Sequence, residues 1–143
     1  MSVGRICIRE VDTASPQENV LDVARRMRDR QVGTVVIVDD QGRPMGLLSD
    51  RDVTVRIVAA GRDAIRTPVE EAMTPMPTVV LEDTPIEAAL GHMRTGRMRR
   101  LPVVNGAGKL LGIVTLDDVI GLLVEEFALI GGLLRREAPH RAA

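Results

Sequence analysis

An α+β fold built from two like halves is predicted by three features of the sequence. The first is an internal repeat. Met27-Arg28 falls on Met93-Arg94 at an offset of 66 residues, and the same ungapped offset sets Val38 on Val104, Gly42 on Gly108 and Gly46 on Gly112. It also sets Asp52-Val53 on Asp118-Val119 and Val58 on Val124, with Ser49 on Thr115. The second feature is that each copy passes from a helical to an extended and back to a helical pattern. The third is composition: 143 residues, 45% hydrophobic and 27% charged, which is ordinary for one globular domain or two very small ones.

The elements follow in chain order. Ile6 to Ile8 reads as a short extended piece ahead of the first copy, and Thr78 to Leu81 as its equivalent ahead of the second. Ser15-Pro16-Gln17-Glu18 and Thr84-Pro85-Ile86-Glu87 have the form of capping boxes with Pro at the first helical position. The helices they open carry apolar residues at Val20, Val23, Ala24 and Met27, and at Ile86, Ala89, Leu90 and Met93, a 3.6-residue period with one buried face. Thr34 to Val38 and Leu101 to Val104 are β-rich. Turn residues follow (Asp39 to Gly42, Asn105 to Gly108), then second strands from Met45 to Leu48 and from Leu110 to Val114, so each copy holds a hairpin. A second helix starts at Ser49 or Thr115, and Gly61 ends the one in copy one. Thr67 to Glu70 opens a helical turn, and Met73 to Pro77 takes an extended path because residues before Pro avoid the helical region. The predicted organisation is repeat one over 7–61, a linker over 62–77, repeat two over 78–134 with Gly131-Gly132 as a break, and a frayed tail over 135–143.

Composition also limits function. A net charge of −1 removes the general attraction for phosphate backbones, and one Phe with no Tyr or Trp leaves no stacking platform for bases, so nucleic acid is not expected as a partner. One Cys and two His cannot make a structural zinc site, and no metal is expected. The longest apolar stretch, Val119 to Leu134, is interrupted by Glu125 and Glu126, so no membrane span is expected; with no signal-like N-terminus, the expected location is the cytoplasm.

The sequence resembles the CBS domain, the module named after cystathionine β-synthase, over about residues 7 to 124. The resemblance rests on Val32-Gly33-Thr34-Val35-Val36-Ile37-Val38-Asp39, Gly46-Leu47-Leu48-Ser49-Asp50-Arg51-Asp52, Met73-Thr74-Pro75, Arg99-Arg100-Leu101-Pro102-Val103-Val104 and Gly112-Ile113-Val114-Thr115-Leu116-Asp117-Asp118. It implies a stand-alone Bateman module: two β-α-β-β-α repeats packed through their sheets with pseudo-two-fold symmetry. It further implies two clefts that often take adenosine-containing ligands, pairing of modules into discs, and regulation of a partner protein.

Ser49 with Asp52, and Thr115 with Asp118, each place a hydroxyl at a helix start and a carboxylate one turn in. A helix start suits phosphate, and a carboxylate accepts from ribose hydroxyls. The same spacing also caps a helix without any ligand. By resemblance, Asp52 and Asp118 are the ribose positions, with Ser49 and Thr115 on ribose or phosphate. The base would lie against Thr13, Gly33, Thr34 and Val35 in one cleft, and against Thr78, Val80, Arg100, Leu101 and Pro102 in the other. Arg51, Arg97, Arg99 and Arg100 are candidate phosphate ligands or simply solvated side chains. Gly33 has Arg99 as its counterpart, so the two clefts are expected to differ in affinity.

Asp39-Asp40 reads as turn chemistry, and with no nucleophile–base set the chain is not expected to be an enzyme. Cys7 is an inert thiol or a redox-active one. The apolar run from Val119 to Leu134 exceeds what one helix face hides and is read, with the second helices, as a homodimer interface. The expected function is a regulatory module with no obligatory cofactor. Its ligand would be AMP, ADP, ATP, S-adenosylmethionine or NAD(H), and its effector protein is not encoded here. The competing expectation is a structural homodimer whose clefts bind nothing.

Overall fold

The structure, a computed structural model, describes residues 1–75 and 78–137. It is a mixed α+β fold with two small sheets, one per repeat. Strand β1 (Thr13–Ala14) leads to helix α1 (Val20–Arg30), then to β2 (Thr34–Val38) and β3 (Pro44–Ser49). Helix α2 (Asp50–Asp52) continues directly as a π-helical segment (Val53–Val58), and β4 is Thr74–Pro75. The second repeat supplies β5 (Val80–Leu81), α3 (Ile86–Gly96), β6 (Arg100–Val104), β7 (Leu110–Thr115) and α4 (Leu116–Glu137). In each sheet the first strand runs parallel to the next, and the hairpin partner is antiparallel. The hairpins turn on Asp39 and Asn105, whose Oδ1 atoms each accept two backbone N–H bonds, and on Gly42 and Gly108 at positive φ. Asp39 is thus a turn residue.

Each repeat has its own core, and each core is completed from outside its repeat. Val3, fully buried, packs with Val80, Ile86, Leu101 and Val114 of the second repeat. Val69, its counterpart 66 residues on, packs with Val20, Val35 and Leu48 of the first. The backbone repeats the exchange. Ile8 and Ile113 trade hydrogen bonds, which adds the N-terminal segment to the edge of the second sheet. Thr74 pairs with Leu47 at the equivalent edge of the first. The segment predicted as a plain linker therefore supplies an edge strand of sheet one. The segment predicted as extended over Ile6 to Ile8 belongs with repeat two and is extended only at Ile8, because Ile6 and Cys7 close a turn on the Val3 carbonyl; the strand that precedes α1 is Thr13–Ala14.

This exchange also moves the helix starts. The Ile86 N–H donates to the Met1 carbonyl, and the Val20 N–H to the Thr67 carbonyl, so donors left open at each helix start are met by main chain from the exchanged segment. α1 starts at Val20 with Asn19 as its cap. The predicted box at Ser15 closes a preceding turn instead, with the Ser15 N–H donating to Glu18 Oε2. At α3 the cap position is Pro85, and the Thr84 hydroxyl accepts from the Leu81 N–H.

Gly46 and Gly112 are where the exchanged strands cross. A Cβ on Gly46 would lie 2.7 Å from the Thr74 carbonyl oxygen, and one on Gly112 would lie 2.6 Å from that of Ile8. Both oxygens are backbone, and at Gly46 Met73 Sδ lies as close, at 2.6 Å. Gly46→Ala or Gly112→Ala is expected to cost about 1–3 kcal/mol by overpacking. Chemical denaturation reads this directly; a midpoint equal to the wild type would show that the edge strands are not held there.

Two predictions about the C-terminal region are corrected. α4 runs unbroken through Gly131-Gly132, and 135–137 are helical rather than frayed. Glycine costs about 1 kcal/mol in a helix interior but keeps its N–H, so it weakens a helix without ending it. The remainder of the predicted tail, 138–143, lies outside the described residues, as do Met76 and Pro77.

Candidate functional site

The predicted hydroxyl–carboxylate pairs are both formed, and in the same geometry. Ser49 Oγ accepts from the Asp52 N–H (3.1 Å) while Asp52 Oδ2 accepts from the Ser49 N–H (2.9 Å). Thr115 and Asp118 repeat this at 3.1 and 2.8 Å. Each pair is a reciprocal cap at the junction of a hairpin strand and the second helix of its repeat.

Their surroundings differ. Asp52 also accepts from the Thr74 hydroxyl (3.3 Å to Oδ1) and lies 3.8 Å from Arg56 Nε. The positions equivalent to Thr74 and Arg56 in the other repeat are Ile8 and Leu122. Among the described residues, the cap alone engages Asp118, which leaves Oδ1 as an unshared acceptor.

Two cavities of similar size lie where the repeats meet. The first, about 260 Å³, has Thr34, Ser49, Asp52 and Thr74 on one wall and Gly96 to Arg100 of the second repeat on the other. The second, about 250 Å³, has Thr115, Ile113 and Arg100 facing Gly33, Thr34 and Asp12. The 66-residue offset exchanges the two walls. Neither cleft is made by one repeat alone. Thr34 and Arg100, equivalent residues, line both, and the buried Thr34 hydroxyl has no hydrogen-bond partner among the described residues. A buried polar oxygen without a partner is costly to the fold. A smaller cavity of about 220 Å³ beside Thr115 is lined by Arg99, Arg100 and Asp117, with Arg99 Nη2 3.4 Å from Asp117 Oδ1.

Of the residues named from the sequence, Thr34, Ser49, Asp52, Arg97, Arg99 and Arg100 meet in the first cleft, and Gly33, Thr34, Arg100 and Thr115 in the second, while Asp118, read as the second ribose position, lies outside both linings. Others lie elsewhere. The side chains of Val35, Val80 and Leu101 are core, because they sit on the sheet face that packs against the helices. Pro102 is buried within β6, Thr78 is half-buried ahead of β5, and Arg51 is exposed, outside both linings. Thr13 belongs to a wider groove of about 880 Å³ on the outer side of repeat one, where its carbonyl accepts from Arg26. Within that groove Glu18 is held by Arg26 and by the Ser15 N–H. Burial alone would raise the Glu18 carboxyl, but hydrogen bonds from Arg26 and the Ser15 N–H outweigh it and hold the group below its usual range. Sequence reasoning did not place Thr74, Ile8, Glu10 or Asp12 at the clefts. The repeat offset was the available signal, since it pairs Thr74 with Ile8 beside the equivalent glycines.

Among the described residues no helix is long and apolar enough to cross a membrane, and no cluster of three His, Cys, Asp or Glu could hold a metal.

A family profile, the CBS domain, matches residues 3–59 and again 69–125. An uncharacterized protein of Methanopyrus kandleri is 35% identical over 120 residues, which cover 84% of this chain and 61% of that protein. The chain thus spans under two thirds of that relative's length. The crystal structure of Hypoxic Response Protein I with two coordinated zinc ions superposes with a TM-score of 0.75 at 28% identity, covering 84% of this chain and 97% of that one. A CBS domain protein from Pyrobaculum aerophilum, complexed with AMP, gives a TM-score of 0.73 at 26% identity over 82% of this chain and 89% of that one.

Proposed function

The chain belongs to the CBS domain family, and from that premise we propose that it is a non-catalytic regulatory module that binds an adenosine-containing ligand in the clefts between its repeats and signals to a partner protein. The observation that carries this reading is the composition of the first cleft. A hydroxyl and a carboxylate face three arginines across about 260 Å³. Carboxylate and hydroxyl suit the sugar of a nucleotide, and guanidinium groups suit its phosphates, often through paired hydrogen bonds. The relative complexed with AMP supports the choice of ligand class. In the same reading the module is a homodimer, joined through its second helices and the exposed apolar side of α4.

Thermal unfolding against AMP, ADP, ATP, NAD, NADH and S-adenosylmethionine tests the proposal, with Asp52→Ala/Asp118→Ala alongside. A ligand at a hundred times its Kd adds about 2.7 kcal/mol, roughly 5–10 °C for a chain of this size. At least one ligand is expected to give that shift, and the double variant to lose it. Each lost charged hydrogen-bond partner costs about 1.5–3 kcal/mol, ten- to a hundredfold in Kd. A wild type that ignores the whole panel would leave the clefts as structure only.

A further inference from the structure

We infer that the two clefts are selective for different ligand charge: the cleft over Ser49 and Asp52 takes an adenosine ligand carrying two or three phosphates, and the cleft over Thr115 takes one carrying at most a single phosphate. This rests on the nucleotide reading and divides it between the sites. Pseudo-symmetry makes the comparison position by position. Arg97, Arg99 and Arg100 face the first cleft, and their counterparts are Gln31, Gly33 and Thr34. The second cleft instead receives Glu10 and Asp12, with Arg100 as its basic lining residue.

Partners already in place sharpen the contrast. Asp52, the acid of the first cleft, lies beside Arg56, so the arginines opposite it keep most of their positive charge for a ligand. Arg99 touches Asp117, but both side chains are well exposed, and such a pair is weak enough for a phosphate to displace. In the second cleft Asp12 is paired with Arg30, while exposed Glu10 remains to oppose an incoming phosphate. Asp118 caps the helix start together with Thr115 of this cleft, lies outside the cleft's lining, and keeps a carboxylate oxygen unshared, an acceptor for a ligand recognised by its hydroxyls. Like charges disfavour phosphate, and paired guanidinium contacts favour it, most strongly for the chain with most charge.

Isothermal titration with adenosine, AMP and ATP tests the assignment on the wild type, Arg97→Gln, Arg97→Gln/Arg99→Gly and Asp118→Ala. Gln31 and Arg97 share the left-handed backbone, φ 55° and 52°, so the single variant places a residue already accepted by the equivalent turn. The double variant is expected to weaken ATP about tenfold or more while adenosine changes little, and the single variant to fall between. Asp118→Ala is expected to weaken adenosine more than ATP. Equal losses of ATP and adenosine in the arginine variants, or ATP binding that ignores both of them, would overturn the charge assignment and leave the nucleotide reading standing. A wild type that binds none of the three would overturn both.

Discussion

Val3→Asp is expected to unfold the second repeat, although position 3 precedes the first. The Val3 side chain is 0% exposed and packs among Val80, Ile86, Leu101 and Val114. A carboxylate there has no cation within the apolar cluster, and an unpaired buried charge costs on the order of 3–5 kcal/mol. Neighbouring backbone bonds would go with it: Val3 and Gly4 donate to the carbonyls of Thr84 and Glu82. Val3→Ala removes only apolar contact and is expected to cost about 2 kcal/mol. At roughly 2–4 °C per kcal/mol, both are visible in a melting curve. Hydrogen exchange locates the damage. Val3→Asp should release protection in α3, β6 and β7 first, and Val69→Asp in α1, β2 and β3. Loss confined to the first repeat in the Val3 variant would show that the segments are not exchanged.

Under the proposed homodimer, Leu123→Asp/Phe127→Asp is expected to give a monomer that stays folded. The two side chains are 50% and 70% exposed, so the single copy gains little from them. Ile120, Ile130 and Leu134 are exposed on the same helix at three- and four-residue steps, which makes a stripe along α4 that one copy leaves open to water. Apolar patches of this kind mark partner surfaces. A buried anchor at an interface carries about 2–4 kcal/mol, or roughly thirty- to a thousandfold in Kd, so two charges in the stripe suffice to separate micromolar dimers. Light scattering after size exclusion gives the mass, and the melting temperature of the variant reports its fold. A wild type of monomer mass, or a variant that stays dimeric, would remove α4 from the interface.

The sequence by itself determined the elements that depend on near neighbours. The hairpin turns on Asp39 and Asn105 and the hydroxyl–carboxylate caps at Ser49 and Thr115 follow from short local patterns, the duplication follows from direct comparison of the chain with itself, and all are present. Half of the site was legible for the same reason: its polar groups are also local caps. What only the tertiary structure decided are the matters set by segments far apart in the chain. Met1 and Thr67 cap α3 and α1 with main-chain carbonyls, which any residue type supplies, so no local pattern marks them. Val3 and Val69 look like ordinary valines until the exchange buries each in its core. Each cleft takes one wall from each repeat, which sets Arg97 and Arg100 opposite Ser49, about fifty residues away in the chain. α4 passes through Gly131-Gly132 because the cost of glycine is spread over a 22-residue helix whose other residues propagate it.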